Sequence, residues 1–230
     1  MVNNRMGWMT VALLLALWCL GSAALSAAVS SGGSDAGRRV VVGNLIYAGD
    51  KTSVCFSDRF LTTVETETGV PTEKRLRATR LSDRAELNAV AFVIMNGQEA
   101  FALTPDERDN LRLWLDAGGF LLASAGCSSQ PWQASFRTAM KEMYGPDAVT
   151  TVLQDHPLFR TLFPISDFSL THGGTARFEG VVRDGRLVVL FSPEGLNDTA
   201  HTQGCCCCGG NEVRHAEEIV ADALSYALVE

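Results

Sequence analysis

The residues best equipped for chemistry in this 230-residue chain are its seven cysteines, four of which run consecutively as Cys205-Cys206-Cys207-Cys208 between Gly204 and Gly209. Cys205 and Cys208 have the spacing that lets one turn present two sulfurs to a metal, and His201 and His215 flank them. Thiolates and imidazoles together suit tetrahedral zinc, so one reading of this loop is a zinc site of two cysteines and two histidines, or of four cysteines. Oxidation is the other: outside the cytoplasm one of these thiols can pair with Cys55 or Cys127 and others with each other. A vicinal pair such as Cys206 and Cys207 would be strained and redox-labile. Flanking glycines let the loop turn tightly under either reading.

Three further places carry candidate chemistry. Cys127, in Ala125-Gly126-Cys127-Ser128-Ser129, follows an apolar run and precedes a helical pattern. A nucleophilic thiolate there needs a nearby base or the dipole of the following helix; a packed or disulfide-bonded cysteine is the plainer alternative. In Asp155-His156-Pro157 the proline keeps His156 extended, which could aim its imidazole at the cleft beyond the strand C-termini where ligands of open α/β sheets bind. The plainer reading is that Asp155 and His156 brace their own loop. His172 is a lone loop histidine. Tyr47-Ala48-Gly49-Asp50 closes the first strand, and its glycine would let backbone N–H groups approach an anion or a carbonyl, or form an ordinary turn. No Gly-x-Gly-x-x-Gly or phosphate-loop pattern occurs, so a nucleotide is not expected.

These residues must be positioned by alternating strands and helices. Val40 to Tyr47 is β-rich, Ser53 to Glu65 has helical spacing of Phe56, Phe60 and Leu61, and Leu76 to Leu81 alternates weakly. Ala89 to Met95 is an apolar run expected of a central strand covered on both faces. Thr104-Pro105-Asp106-Glu107 is a capping box with proline at the first helical position, Leu111, Leu113, Trp114 and Leu115 form the apolar stripe, and Gly118-Gly119 ends the helix. Phe120 to Ser124 is a second buried strand, and Trp132 to Met143 a helix with Phe136, Met140 and Met143 on one side. Val149 to Leu153 reads as a strand, Arg177 to Val182 and Arg186 to Phe191 as two strands joined at Asp184-Gly185, and Glu212 to Val229 as the last helix. Such alternation predicts one α/β domain with a mostly parallel sheet and helices on both faces.

The net charge of −7 excludes the clustered basic footprint that nucleic acid requires. At the N-terminus, Arg5, an apolar run from Trp8 to Leu20 and the small residues Ser26-Ala27-Ala28 have the layout of a signal peptide over residues 1–28. Retention of residues 8–29 as a membrane anchor is the alternative. Cleavage would remove Arg5 and Cys19, leaving net −8 and six cysteines. Residues 29–38 form a polar linker, and residues 39–230 the domain.

Four stretches, taken in order, resemble a known family: Tyr47-Ala48-Gly49-Asp50; Leu111-Arg112-Leu113-Trp114-Leu115 through Gly118-Gly119-Phe120-Leu121-Leu122; Ser135-Phe136-Arg137 with Met140; and Asp155-His156-Pro157-Leu158-Phe159. The chain resembles domain of unknown function 4159, a family similar to the class I glutamine amidotransferase-like superfamily. The resemblance implies a flavodoxin-like domain over nearly the whole mature chain and no established activity. Amidotransferases place their cysteine in a Gly-x-Cys-x-Gly elbow and use a downstream His-x-Glu. Here the segment around Cys127 lacks both glycine positions, and His215-Ala216-Glu217 is expected to lie inside the last helix.

The leading expectation is therefore an exported, non-catalytic binding or interaction domain for an unknown ligand or protein partner. The alternatives are a thiol-dependent hydrolase or amidase using Cys127, with His156 as the candidate companion, and a metal or redox module built on Cys205 to Cys208.

Overall fold

The computed structural model describes residues 39–53, 55–198, 202 and 210–230. The expected signal peptide, the linker to residue 38, His201 and Cys205 to Cys208 lie outside the described residues. Among the described residues no helix is long and apolar enough to cross a membrane.

An eight-stranded sheet forms the centre of the domain. β1 (Val42–Tyr47) pairs in parallel with β3 (Arg77–Arg80) and with β4 (Phe92–Gly97). β4 pairs in parallel with β5 (Phe120–Ala125), and β5 with β8 (Arg186–Ser192). The five parallel strands thus stand in the order β3-β1-β4-β5-β8. β7 (Phe178–Arg183) and β6 (Thr150–Val152) extend the sheet antiparallel beyond β8, and β2 (Lys51–Thr52) turns back along the end of β1. β4 and β5 are buried almost throughout because helices cover both faces, as their unbroken apolar character requires. Phe92 stacks on Phe120 across this central pair at 5.3 Å.

The helices divide into two layers. α1 (Arg59–Thr68) and α5 (Ala216–Val229) bury Phe60, Leu61, Val64, Ile219, Val220 and Leu224 on one face. α2 (Arg84–Asn88), α3 (Pro105–Asp116) and α4 (Gln130–Tyr144) bury Leu87, Leu111, Trp114, Trp132, Phe136 and Met140 on the other. The capping box of α3 forms as the sequence predicts: Glu107 N–H donates to Thr104 Oγ1 at 3.2 Å, and Thr104 N–H to Glu107 Oε2 at 2.8 Å. The other oxygen of Glu107 accepts from Ala48 N–H at 2.7 Å, so the same carboxylate fixes the turn after β1.

Four local expectations need correction. α1 begins at Arg59 rather than Ser53, because Lys51 and Thr52 enter the sheet and Ser57 N–H donates to Asn197 C=O. α5 begins at Ala216 rather than Glu212, because Val213 N–H is taken by Gly195 C=O and Val213 bridges to Leu170. His215 is accordingly the cap of α5, not an interior residue. Leu113 is half-exposed instead of in the α3 stripe, and the short α2, capped by Asp83 Oδ1 on two backbone N–H groups, is additional.

Candidate functional site

Strand order reverses between β1 and β4: the chain leaves β1 for β3 on one side and returns to β4 on the other. At such a reversal the loops beyond the strand C-termini diverge and leave a crevice. Its surroundings come from the turn after β1, from Gly97 and Gln98 after β4, from Gly126-Cys127-Ser128 after β5, and from Pro193 to Asp198 after β8.

Cys127 occupies the tight turn between β5 and α4 in a left-handed conformation, φ 51° and ψ 32°, and Ser128 follows at φ 55°. L-residues adopt this region at a cost, and such strain is retained where the surroundings over-determine it. Those surroundings are visible. Ser128 Oγ donates to Glu194 C=O at 2.8 Å and accepts from Asn211 N–H at 2.9 Å. Gln133 Nε2 donates to the carbonyls of Ser128 and Pro193. Ser129 Oγ donates to Gln98 C=O, which ties the β4 loop to the β5 elbow. Gly210 packs so closely on Cys127 that a Cβ there would lie 2.6 Å from its Cα. Gln98 Nε2 lies 3.2 Å from the sulfur of Cys127, a disulfide candidate from sequence. Cys55 is disulfide-bonded.

A buried polar lane runs beneath the crevice. Asn96 Nδ2 donates to Ser124 C=O at 2.9 Å and to Asn197 Oδ1 at 2.7 Å, while Ser124 Oγ donates to the same Oδ1 at 2.9 Å. Sequence reasoning missed Gln98, Asn96, Ser124 and Asn197. Asn96 and Ser124 do carry a signal, since each ends an apolar strand with a polar residue; Asn197 carries none.

The other predicted residues fall in different places. Tyr47 is buried in the core: its hydroxyl donates to Asn96 C=O at 3.0 Å and accepts from Trp132 Nε1 at 2.7 Å. Burial pushes this phenol up to about 12, so it is a neutral structural bridge. Gly49, at φ 88°, and the exposed Asp50 form the β1–β2 turn, where Ala48 N–H is already engaged by Glu107.

His156 sits against Tyr226, with ring centroids 5.7 Å apart, and Tyr226 also meets Phe120 and Leu187 at the N-terminal ends of β5 and β8. It therefore lies at the opposite end of the sheet from Cys127, about the length of β5 away, and the two are not brought together. The expectation that His156 faces the C-terminal crevice is corrected: the loop after β6 packs its imidazole on Tyr226, near the C-terminal end of α5, at the far end of the sheet. There His156 Nδ1 accepts from Leu158 N–H at 3.1 Å, and burial holds the imidazole below its usual range against the weaker opposing pull of Asp155. Asp155 and His156 line an open groove of about 440 Å³ beside β6.

His172 lies nearer the elbow, on a loop held by Asn211, which accepts from His172 N–H through Oδ1 at 2.6 Å. His215, the described member of the predicted zinc set, has Nε2 3.2 Å from Asp167 and Nδ1 3.6 Å from Glu218. No group of three or more His, Cys, Asp or Glu side chains able to hold a metal ion occurs among the described residues.

Comparison with known proteins agrees with this architecture without adding an activity. No curated protein matches the chain. The family model described as Domain of unknown function (DUF4159) matches residues 45–228, from within β1 almost to the end of α5. The chain belongs to the DUF4159 family.

Proposed function

We propose that this is a ligand-binding domain acting outside the cytoplasm, non-catalytic, with a flavodoxin-like fold similar to the class I glutamine amidotransferase-like superfamily. Its ligand enters the crevice at the C-terminal ends of β1, β4, β5 and β8. The spatial order β3-β1-β4-β5-β8 corresponds to second, first, third, fourth and fifth parallel strands, the flavodoxin-like order, which supports the fold reading. The pattern of residues 1–28 and the disulfide at Cys55 support export, since disulfides persist in oxidising compartments.

The observation that carries the binding reading is the left-handed Cys127-Ser128 elbow at the crevice, with Gln98 against the Cys127 sulfur and Gln133, Glu194 and Asn211 hydrogen-bonded to Ser128. Strain held by so many partners at a switch point marks a functional surface rather than a plain turn. Binding is favoured over hydrolysis because His156, the companion suggested by sequence, belongs to the other end of the sheet. One observation favours the thiol-dependent hydrolase or amidase as a second reading: the positive φ of Cys127 provides a sharp elbow without the missing glycines.

A fragment screen by heteronuclear NMR on the mature chain tests both. The binding reading expects shift changes clustered on Gly97, Gln98, Gly126 and Cys127, and fails if hits cluster instead at His156. With an activated ester, one acyl group on Cys127 without turnover supports a binding domain. Turnover that disappears in Cys127→Ala would establish the enzyme reading instead.

A further inference from the structure

β6 is a free edge of the sheet, with β7 as its strand neighbour among the described residues. An edge strand presents backbone N–H and C=O groups that can pair with another chain, and proteins commonly blunt it with charge. The opposite edge is blunted in this way. Arg77 and Arg80 of β3 carry ion pairs to Glu73 and Glu86, and Glu86 also accepts from the Arg80 backbone N–H. β6 lacks such protection: Thr150 and Thr151 are exposed and uncharged, and among the described residues no side chain hydrogen-bonds to the strand. Beside it lies the groove of about 440 Å³, walled by Val152, Val182 and Leu187 on the sheet and by Asp155, His156 and Pro157 on the following loop. Leu153 and Val182 at this edge are 65% and 50% exposed. Exposed apolar side chains next to an unprotected edge suit an added strand, with main-chain bonds along β6 and side chains in the groove.

Charge selects the occupant. Asp147 precedes the strand and Asp155 follows it, equally spaced in sequence from Thr151, and both are exposed. Neither carboxylate has an ion-pair partner among the described residues; Arg160 donates to the backbone carbonyl of Asp155 instead. A second copy paired antiparallel about Thr151 would bring Asp147 of each chain toward Asp155 of the other, like charge against like at both ends. A strand with a basic residue at each end meets opposite charge at both. We infer that β6 and its groove dock an extended segment of a protein partner, β-branched and apolar in its middle and carrying Lys or Arg at both ends, which joins the sheet as a further strand. This surface is separate from the C-terminal crevice and goes beyond the ligand-binding reading proposed there.

Three synthetic peptides test this on the mature chain by heteronuclear NMR. The first alternates valine and threonine between terminal lysines, the second has glutamates in place of the lysines, and the third is the lysine peptide with every middle amide N-methylated. Docking at β6 expects saturable shifts on Thr150 to His156, Val182 and Leu187 with the lysine peptide. The glutamate peptide is expected to bind about two- to tenfold more weakly at low salt, and the methylated one not at all. Asp147→Asn combined with Asp155→Asn alters two exposed side chains. It is expected to leave the melting temperature unchanged and to weaken the lysine peptide about two- to tenfold, closing most of the gap between the two charged peptides. Equal binding of the lysine and glutamate peptides, undiminished binding of the methylated peptide, or no saturable shift into the millimolar range overturns the proposal. Sedimentation of the chain alone supplies the remaining outcome: a dimer that Thr151→Lys dissolves assigns the edge to a second copy and overturns it as well.

Discussion

Trp132 Nε1 donates to the hydroxyl of Tyr47 at 2.7 Å, joining the start of α4 to the end of β1 directly beneath the crevice. That hydroxyl donates onward to Asn96 C=O, so one phenol links β1, β4 and α4. Gly97 has to be glycine for the same reason: a Cβ there would lie 2.5 Å from the Tyr47 hydroxyl and 2.6 Å from Trp132 Nε1. The crevice walls are held by a buried polar bridge, and Tyr47 is a support rather than a ligand contact.

Tyr47→Phe removes the bridge and leaves Trp132 Nε1 buried without its acceptor. The expected cost is about 1–3 kcal/mol, measured by urea denaturation, with little change in the slope of the transition.

Cys127→Gly relieves the positive φ, whereas a β-branched residue aggravates it. Cys127→Gly is expected to melt close to the native chain, its relieved strain offsetting the lost sulfur contact. Cys127→Val is expected to be less stable by about 1–3 kcal/mol. Equal melting temperatures for the two variants would remove the argument for a strained elbow.

Asp222 is fully buried on α5, and its Oδ1 accepts from the backbone N–H groups of Leu162 and Phe163, both at 2.8 Å. Burial raises its carboxyl to about 6, against the lowering effect of those two hydrogen bonds, and Glu218 adds to the rise. A carboxyl whose folded pKa exceeds its unfolded value binds more protons when folded. Its contribution is therefore complete below about pH 4 and declines as pH rises through about 6. Asp222→Asn keeps an acceptor and cannot ionise, so it is expected to flatten this part of the stability curve. The difference should approach about 3 kcal/mol at most above pH 7 and vanish near pH 4. Thermal melts of both chains between pH 4 and 8 provide the check.

The Cys55 disulfide predicts a reductant-sensitive melting transition. Reduction is expected to cost about 2–4 kcal/mol, and Cys55→Ser to melt lower under oxidising conditions and lose most of its response to reductant. Native peptide mapping would identify the partner cysteine at the same time.

Local patterns made much of the fold legible. The capping box at Thr104 and Glu107, the unbroken apolar strands β4 and β5, and the Asp184-Gly185 turn with φ 49° and 82° are decided by neighbours in sequence. Each is specified by contacts within a few residues, or by burial on both faces, and so appears in the sequence as type and spacing. Cys127 could likewise be placed at a strand-to-helix turn from the sequence alone.

What the sequence could not determine is which turns share a sheet edge. Strand order and direction depend on pairing between residues far apart in the chain. Long-range packing puts His156, on Tyr226 of α5, and Cys127 at opposite ends while bringing Asn197, far downstream, beside Gly126. Whether a polar residue binds a ligand or stabilises the core is decided by what packs on it. Tyr47 finds Trp132 and Asn96 and is spent; Asn197 has two donors on its oxygen, while its nitrogen is buried without a hydrogen-bond partner among the described residues. The sequence by itself determined the α/β class and the residues able to do chemistry. Tertiary structure alone decided which of them meet, because burial and hydrogen-bond satisfaction are properties of the packed chain.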